Sequence, residues 1–111
     1  QLHNANLNAR LIVDCSHGNS SKDHRKQKGV CEDVFKQILS GNQSIIGVML
    51  ESHLNEGKQS SNKPMCELVY GVSVTDACID WATTEQLLRE GAASISVVLS
   101  NRFAQLKVAN G

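Results

Sequence analysis

Apolar positions along this chain come in two spacings. Residues 10–15 (RLIVDC) and 45–50 (IIGVML) are short, unbroken, β-branched runs and predict buried strands. Between them Val30, Val34 and Ile38 recur every four residues, flanked by Cys31, Phe35 and Leu39. That spacing predicts a helix from about Lys26 to Leu39 with one apolar face, stopped by Gly41. Residues 16–23 (SHGNSSKD) are polar and turn-rich. A long polar stretch over 52–67 holds Gly57 and Pro64, and a third short strand is predicted over Val72–Thr75. Thr83 and Gln86 have the spacing of a capping box. Behind them Leu88, Ala92, Ile95, Leu99, Phe103 and Leu106 mark the predicted buried face of a long last helix. Gly91 inside it should cost about 1 kcal/mol relative to alanine. Residues 1–7 read as the end of a preceding helix.

Strands alternating with helices predict an α/β fold with a parallel sheet and right-handed crossovers. Strands that are apolar throughout, rather than alternating, predict burial on both faces. Alternation along each strand would put Val13, Cys15 and His17 on one face, with Gly47, Met49 and Glu51, and with Val72, Val74 and Asp76.

Composition narrows the function classes. The chain has 111 residues, 41% hydrophobic and 20% charged, with 11 lysines and arginines against 11 aspartates and glutamates. Zero formal charge offers no basic excess for nucleic acid or an anionic membrane, so any anionic ligand must be held by local groups. No apolar run approaches the roughly 20 residues of a membrane helix. The four cysteines, Cys15, Cys31, Cys66 and Cys78, form no C-x-x-C pair and predict reduced thiols, as in a cytoplasm. Gln1 in place of an initiator methionine, at the edge of an element, reads as the start of a fragment.

Each predicted strand ends in a polar residue able to bind a metal: His17, Glu51 and Asp76. In a parallel α/β sheet the C-terminal strand ends share one face, where active sites are built. One imidazole and two carboxylates suit a divalent transition metal such as manganese, iron, cobalt or zinc. Spacing alone leaves a plainer reading equally open, with His17 capping a loop, Glu51 a rim charge and Asp76 a helix cap.

The wording of three segments goes further. DCSHGNSSKDHRKQ (14–27), IIGVMLESHLNEG (45–57) and YGVSVTDACIDW (70–81) resemble the last three strand regions of type I, metal-dependent 3-deoxy-D-arabino-heptulosonate 7-phosphate (DAHP) synthases. The resemblance runs from about Leu7 to about Glu90. It implies that residues 1–111 are the C-terminal part of a single (β/α)8 barrel domain, its last three strand–helix units. It also implies an enzyme that condenses phosphoenolpyruvate with erythrose 4-phosphate and releases phosphate, the first step of the shikimate pathway to aromatic amino acids. The family holds its metal with a cysteine, a histidine, a glutamate and an aspartate. By resemblance His17, Glu51 and Asp76 are three of these, with His17 and Asp76 closest to the chemistry. The cysteine belongs to an early strand outside this chain, as do most phosphate-binding arginines and lysines and the residues that bind aromatic inhibitors. The parent would be a cytoplasmic homo-oligomer.

Cys15 does not replace the missing ligand. Two residues before His17 along a strand, it should sit about 6–7 Å deeper, whereas a zinc–sulfur bond is about 2.3 Å. It reads as a packed core thiol, as does Cys31, while Cys78 follows Asp76 too closely to be an obvious ligand. His53 reads as loop support. Lys22, His24, Arg25, Lys26 and Lys28 read as a solvated helix start, with Lys22 the one candidate for a phosphate contact. Trp81 reads as packing for the last helix. Asp80 stands where the family usually has glycine, and residues 55–68 and those beyond 90 match the family poorly. Two rival readings differ in kind: a related barrel that joins phosphoenolpyruvate to arabinose 5-phosphate, and a catalytically inactive assembly or breakdown fragment.

Overall fold

A computed structural model describes residues 1–110, with side chains described through Val108. Strand β1 (Leu11–Asp14), helix α1 (Gln27–Leu39), strand β2 (Ile45–Met49) and helix α2 (Trp81–Asn110) follow in that order, with single 3-10 turns at His24–Lys26 and Met65–Glu67. The strands pair in parallel, so β1–α1–β2 is one crossover unit. The pairing runs Leu11 with Ile45, Ile12 with Gly47, Val13 with Val48 and Asp14 with Met49. The register slips by one between Leu11 and Ile12, so Ile46 bulges out of the ladder.

Both helices cover one face of this sheet. Val34, Ile38, Ile45 and Ile95 form a buried cluster with Val13, Phe35, Val48, Val98 and Leu99 against it. Cys15, Cys31 and Leu87 form a second, under Val30, Phe35, Val48 and Leu50. The other face is open: Ile12 is 65% exposed and Met49 36%. Val13 and Cys15 therefore point into the helix layer, opposite to Gly47, Met49 and Glu51. The expected shared face of Val13 and Cys15 with that set is corrected by the bulge, which shifts the alternation of one strand relative to the other.

Gly91 explains itself in this packing. A Cβ there would run into the ring of Phe35, so glycine lets α1 and α2 approach this closely without displacing that ring. That approach also sets the rotation of α2. Thr84, Leu87, Gly91 and Ile95 are buried, whereas Leu88, Phe103 and Leu106 are 44%, 65% and 46% exposed. The expected buried face is thus displaced by one position over much of the helix, while Ile95 and Leu99 stay on the core side. Arg102 ties α2 to the start of β2, its guanidinium donating to the carbonyls of Ile45 (3.0 Å) and Asn42. Gly41 ends α1 with φ of 106°, a conformation open to glycine.

Three other expectations are corrected. Residues 72–75 form no strand, and the sheet has two strands among the described residues. Local bonds consume the backbone groups a strand would have offered to β2. The Gln59 amide donates to the carbonyls of Val69 (2.8 Å) and Val72 (3.0 Å) and accepts from the Val69 N–H (2.8 Å). The Ser73 hydroxyl accepts from the Thr75 N–H at 3.2 Å. What pairs instead are isolated positions: Ser52 with Ile79, Lys58 with Ser73, Gly57 with Cys78. Residues 1–7 form turns rather than a helix, closed by Leu7 N–H to the Leu2 carbonyl at 2.9 Å. Asp80, not Thr83, caps α2: its carboxylate accepts from the Thr83 N–H at 2.8 Å. No helix among the described residues is long and apolar enough to cross a membrane.

Candidate metal centre

The site lies where β1 and β2 end. The first strand stops at Asp14, and the chain turns sharply through Cys15–Ser16–His17. His17 takes a left-handed conformation (φ 42°), as do Ser21 and Lys22 after it. The turn is closed by the Lys22 N–H to the His17 carbonyl at 2.7 Å and by the Asn19 amide to the Asp14 carbonyl at 2.6 Å. This geometry swings the imidazole back over the strand end. The second strand carries Glu51 two residues past its last paired position. Asp76 comes from the irregular segment that replaces the third strand, anchored by the Ile79 N–H to the Glu51 carbonyl at 3.0 Å.

The three side chains converge. One ligand atom from each of His17, Glu51 and Asp76 lies within 4.8 Å of the others. His17 Nε2 is 3.2 Å from Glu51 Oε1 and 3.3 Å from Asp76 Oδ2. Its other nitrogen, Nδ1, is 2.9 Å from Asp14 Oδ2. The far oxygen of Asp14 accepts from the Ser16 N–H at 2.8 Å and from the Ser16 hydroxyl. So Asp14 fixes the ring and leaves Nε2 turned toward the two carboxylates.

Charge follows the same contacts. The hydrogen bond to Asp14 raises the His17 pKa above its ordinary value, helped by Asp76 and then by the charge of Glu51. The Ser16 hydroxyl, then His17, holds Asp14 below the usual carboxylate range. Glu51 is pushed up, first by burial, against the pull of His17. Bringing these carboxylates together around one imidazole favours positive charge at the site.

The group opens on a cavity of about 220 Å³ whose wall also holds Lys22, His24, Gln27 and Lys58. Lys22 thus faces the site and not only solvent. Three of the neighbouring basic residues are paired: Arg25 with Asp23 at 3.0 Å, His24 with Glu56 at 3.4 Å and Lys28 with Glu32 at 3.7 Å. Among the described residues no cysteine joins the cluster. Cys15 and Cys31 are fully buried, Cys78 is buried with its thiol toward the Asp76 carbonyl at 3.4 Å, and Cys66 is exposed. His53 supports its loop, its Nδ1 accepting from the Leu54 N–H at 2.9 Å. Trp81 is 53% exposed at the first position of α2 and packs it less than its size implied.

Sequence reasoning missed Asp14, Gln27 and Asp80. Asp14 was hidden inside an apolar strand; its signal is the spacing D-x-x-H, which carries a carboxylate back to the ring that follows it.

A βαβ layer with an imidazole and carboxylates gathered at its strand ends places this chain among mixed α/β proteins whose sites lie on that face. The chain belongs to the DAHP synthetase I family, whose sequence model matches residues 1–89. It is 58% identical over 101 residues to the Tyr-sensitive phospho-2-dehydro-3-deoxyheptonate aldolase of Enterobacter agglomerans, covering 91% of this chain and 47% of that protein. It is 53% identical to the Tyr-sensitive enzyme of Escherichia coli K12, covering 94% of this chain and 29% of that protein. The structure of phospho-2-dehydro-3-deoxyheptonate aldolase from Francisella tularensis superposes with a TM-score of 0.79 at 43% identity, over 87% of this chain and 28% of that one. The chain therefore spans less than half the length of these relatives.

Proposed function

We propose that this chain is the metal-holding C-terminal part of a DAHP synthase, the enzyme that condenses phosphoenolpyruvate with erythrose 4-phosphate and releases inorganic phosphate, opening the route to aromatic amino acids. The convergence of His17, Glu51 and Asp76 carries this reading. The donor set fits a divalent ion of the manganese, iron, cobalt or zinc class. Two ligands each about 2.1 Å from an ion, at tetrahedral or octahedral angles, stand about 3.0–3.4 Å apart, and the 3.2 and 3.3 Å separations from His17 Nε2 match that edge.

The bound ion would polarise an aldehyde oxygen or position a water. The residues of this chain do the rest of the local work. Asp14 holds the His17 ring so that Nε2 faces inward. Glu51, 22% exposed, supplies the more enclosed carboxylate, and Asp76, 68% exposed, the one nearer the aldehyde substrate. Lys22 and Lys58 bring positive charge to the wall where phosphorylated substrates would enter.

In the whole protein these residues would belong to one (β/α)8 barrel. The remaining strands would cover the open face at Ile12 and Met49 and supply the fourth, cysteine ligand with most phosphate-binding groups. The free cysteines suit a reducing cytoplasm.

The test is an assay of the full-length protein with phosphoenolpyruvate and each of two aldoses. Turnover with erythrose 4-phosphate, lost to a chelator and restored by a divalent metal, is the expected result. Preference for arabinose 5-phosphate, or turnover indifferent to chelation, would overturn the reading.

A further inference from the structure

We propose that Gln27 is a positioning residue for the metal-binding carboxylate of Glu51, an inference that rests on the metal reading above. Gln27 opens α1, yet its side chain is fully buried. A glutamine at that position ordinarily reaches solvent. Here it turns inward and clamps the backbone of one residue. Its amide oxygen accepts from the Glu51 N–H at 2.8 Å, and its amide nitrogen donates to the Glu51 carbonyl at 3.2 Å.

The clamp stands in for a missing strand. The last ladder bond from β1 to β2 runs from the Cys15 N–H to the Met49 carbonyl at 2.9 Å. Beyond it the first strand leaves the sheet to form the His17 turn, so the Glu51 N–H, next along that edge, finds no partner in β1. The Gln27 amide offers one donor and one acceptor side by side, as a strand would. The Ile79 N–H also donates to the same Glu51 carbonyl, at 3.0 Å. The Glu51 backbone is therefore held at both its N–H and its carbonyl, and the direction of its Cβ is set where the ladder would otherwise have frayed.

The consequence is specific. The turn that brings His17 over the site requires β1 to stop, and stopping it would free the residue that carries the second ligand. Gln27 resolves that conflict. It also lines the cavity beside Glu51. The N-cap of α1, Lys26, makes no side-chain capping bond, so the helix does not use this amide for its own termination.

The test uses the full-length protein with Gln27→Met, which keeps the length and removes both bonds. Gln27→Glu keeps an acceptor for the Glu51 N–H, and Val34→Ala controls for general loosening of the core. Cobalt(II) affinity and the cobalt d–d absorption spectrum are measured on folded protein. Gln27→Met should bind cobalt about 10- to 100-fold more weakly with an altered spectrum, Gln27→Glu should fall between it and the parent, and Val34→Ala should keep the parental affinity and spectrum. Should Gln27→Met not fold, Gln27→Glu against Val34→Ala decides the matter alone. Parental affinity and spectrum in the glutamine variants, or equal loss in Val34→Ala, overturns the inference while leaving the metal site standing. Cobalt binding unaffected by His17→Ala and Glu51→Ala overturns the metal reading and this inference with it.

Discussion

The β1–α1–β2 unit with α2 and the segment over 51–80 are held together by different forces. In the first, apolar side chains from two helices bury against one sheet face, and the order comes from packing around Leu87, Ile38, Val34 and Ile45. In the second, apolar burial is confined to Cys78 and Ile79 near its end. Leu54, Met65, Val69, Tyr70 and Val74 are all exposed, and side-chain amides and hydroxyls tie the backbone instead. The site straddles the seam. His17 and Glu51 are rooted at the ends of packed strands, and Asp76 in the hydrogen-bonded segment. The candidate ligand set thus takes two members from the packed layer and one from a segment held by hydrogen bonds.

The largest expected effect separates chemistry from packing. In the full-length protein, His17→Ala, Glu51→Ala and Asp76→Ala should each reduce metal-dependent activity by about a hundredfold or more, the scale on which single preorganised electrostatic groups act. Cys15→Ala should keep its bound metal and lose stability by about 1–3 kcal/mol. Metal analysis and thermal unfolding of the four proteins check this; loss of metal in Cys15→Ala with retention in His17→Ala would reverse the assignment.

Next come the two forces themselves. Leu87→Ala should cost about 2–5 kcal/mol by leaving a cavity under Cys15 and Cys31. Denaturant unfolding measures it, and a cost below 1 kcal/mol would mean that the helix layer is not the stabilising half.

Asp14→Ala should weaken metal binding about 10- to 100-fold and change its pH dependence. The raised His17 pKa means that protons compete with the ion from a higher pH than an ordinary imidazole allows, so affinity falls as pH drops through that value. Removing Asp14, the largest cause of the rise, should move that fall to lower pH. Without metal the sign is opposite. The His17 contribution to stability is fully present below its unfolded value, about 6.5, and is lost as pH rises through the raised one. The Asp14 contribution is present above its unfolded value, about 3.9, and is lost as pH falls through the lowered one. Isothermal titration across pH in the parent and Asp14→Ala reads the metal effect; identical profiles would contradict the role given to Asp14.

The smallest effect sharpens the contrast. Gln59→Ala removes three bonds to Val69 and Val72 and should cost about 1 kcal/mol. Amide exchange should quicken over residues 69–73 and stay unchanged in α1. Faster exchange in both regions would show that they are not separable.

The packed half was legible in the sequence because packing writes itself as periodicity. Val30, Val34 and Ile38 announced α1, the β-branched runs announced both strands, and the strand-end placement of His17 and Glu51 followed from them. The rest depends on where a polar side chain spends its hydrogen bonds. Gln59 and Ser73 replaced a strand by local bonds, Asp80 outcompeted Thr83 as a cap, and Gln27 turned inward, none of which has a period. One bulge at Ile46 altered which side chains share a face. Gly91 was visible as a cost, but its reason, the ring of Phe35, lay 56 positions away on another helix. Asp76 lies beside His17 and Glu51 although the strand expected to deliver it does not form; an irregular segment held by local hydrogen bonds carries it there instead.

The most direct measurement is a crystal structure of the full-length protein soaked with zinc, with anomalous data collected at the zinc edge. One strong peak is expected, bonded to His17 Nε2, one oxygen of Glu51 and one oxygen of Asp76 at about 2.0–2.2 Å, with His17 Nδ1 still held by Asp14. A peak bonded elsewhere, or none at these three residues in an active protein, would contradict it.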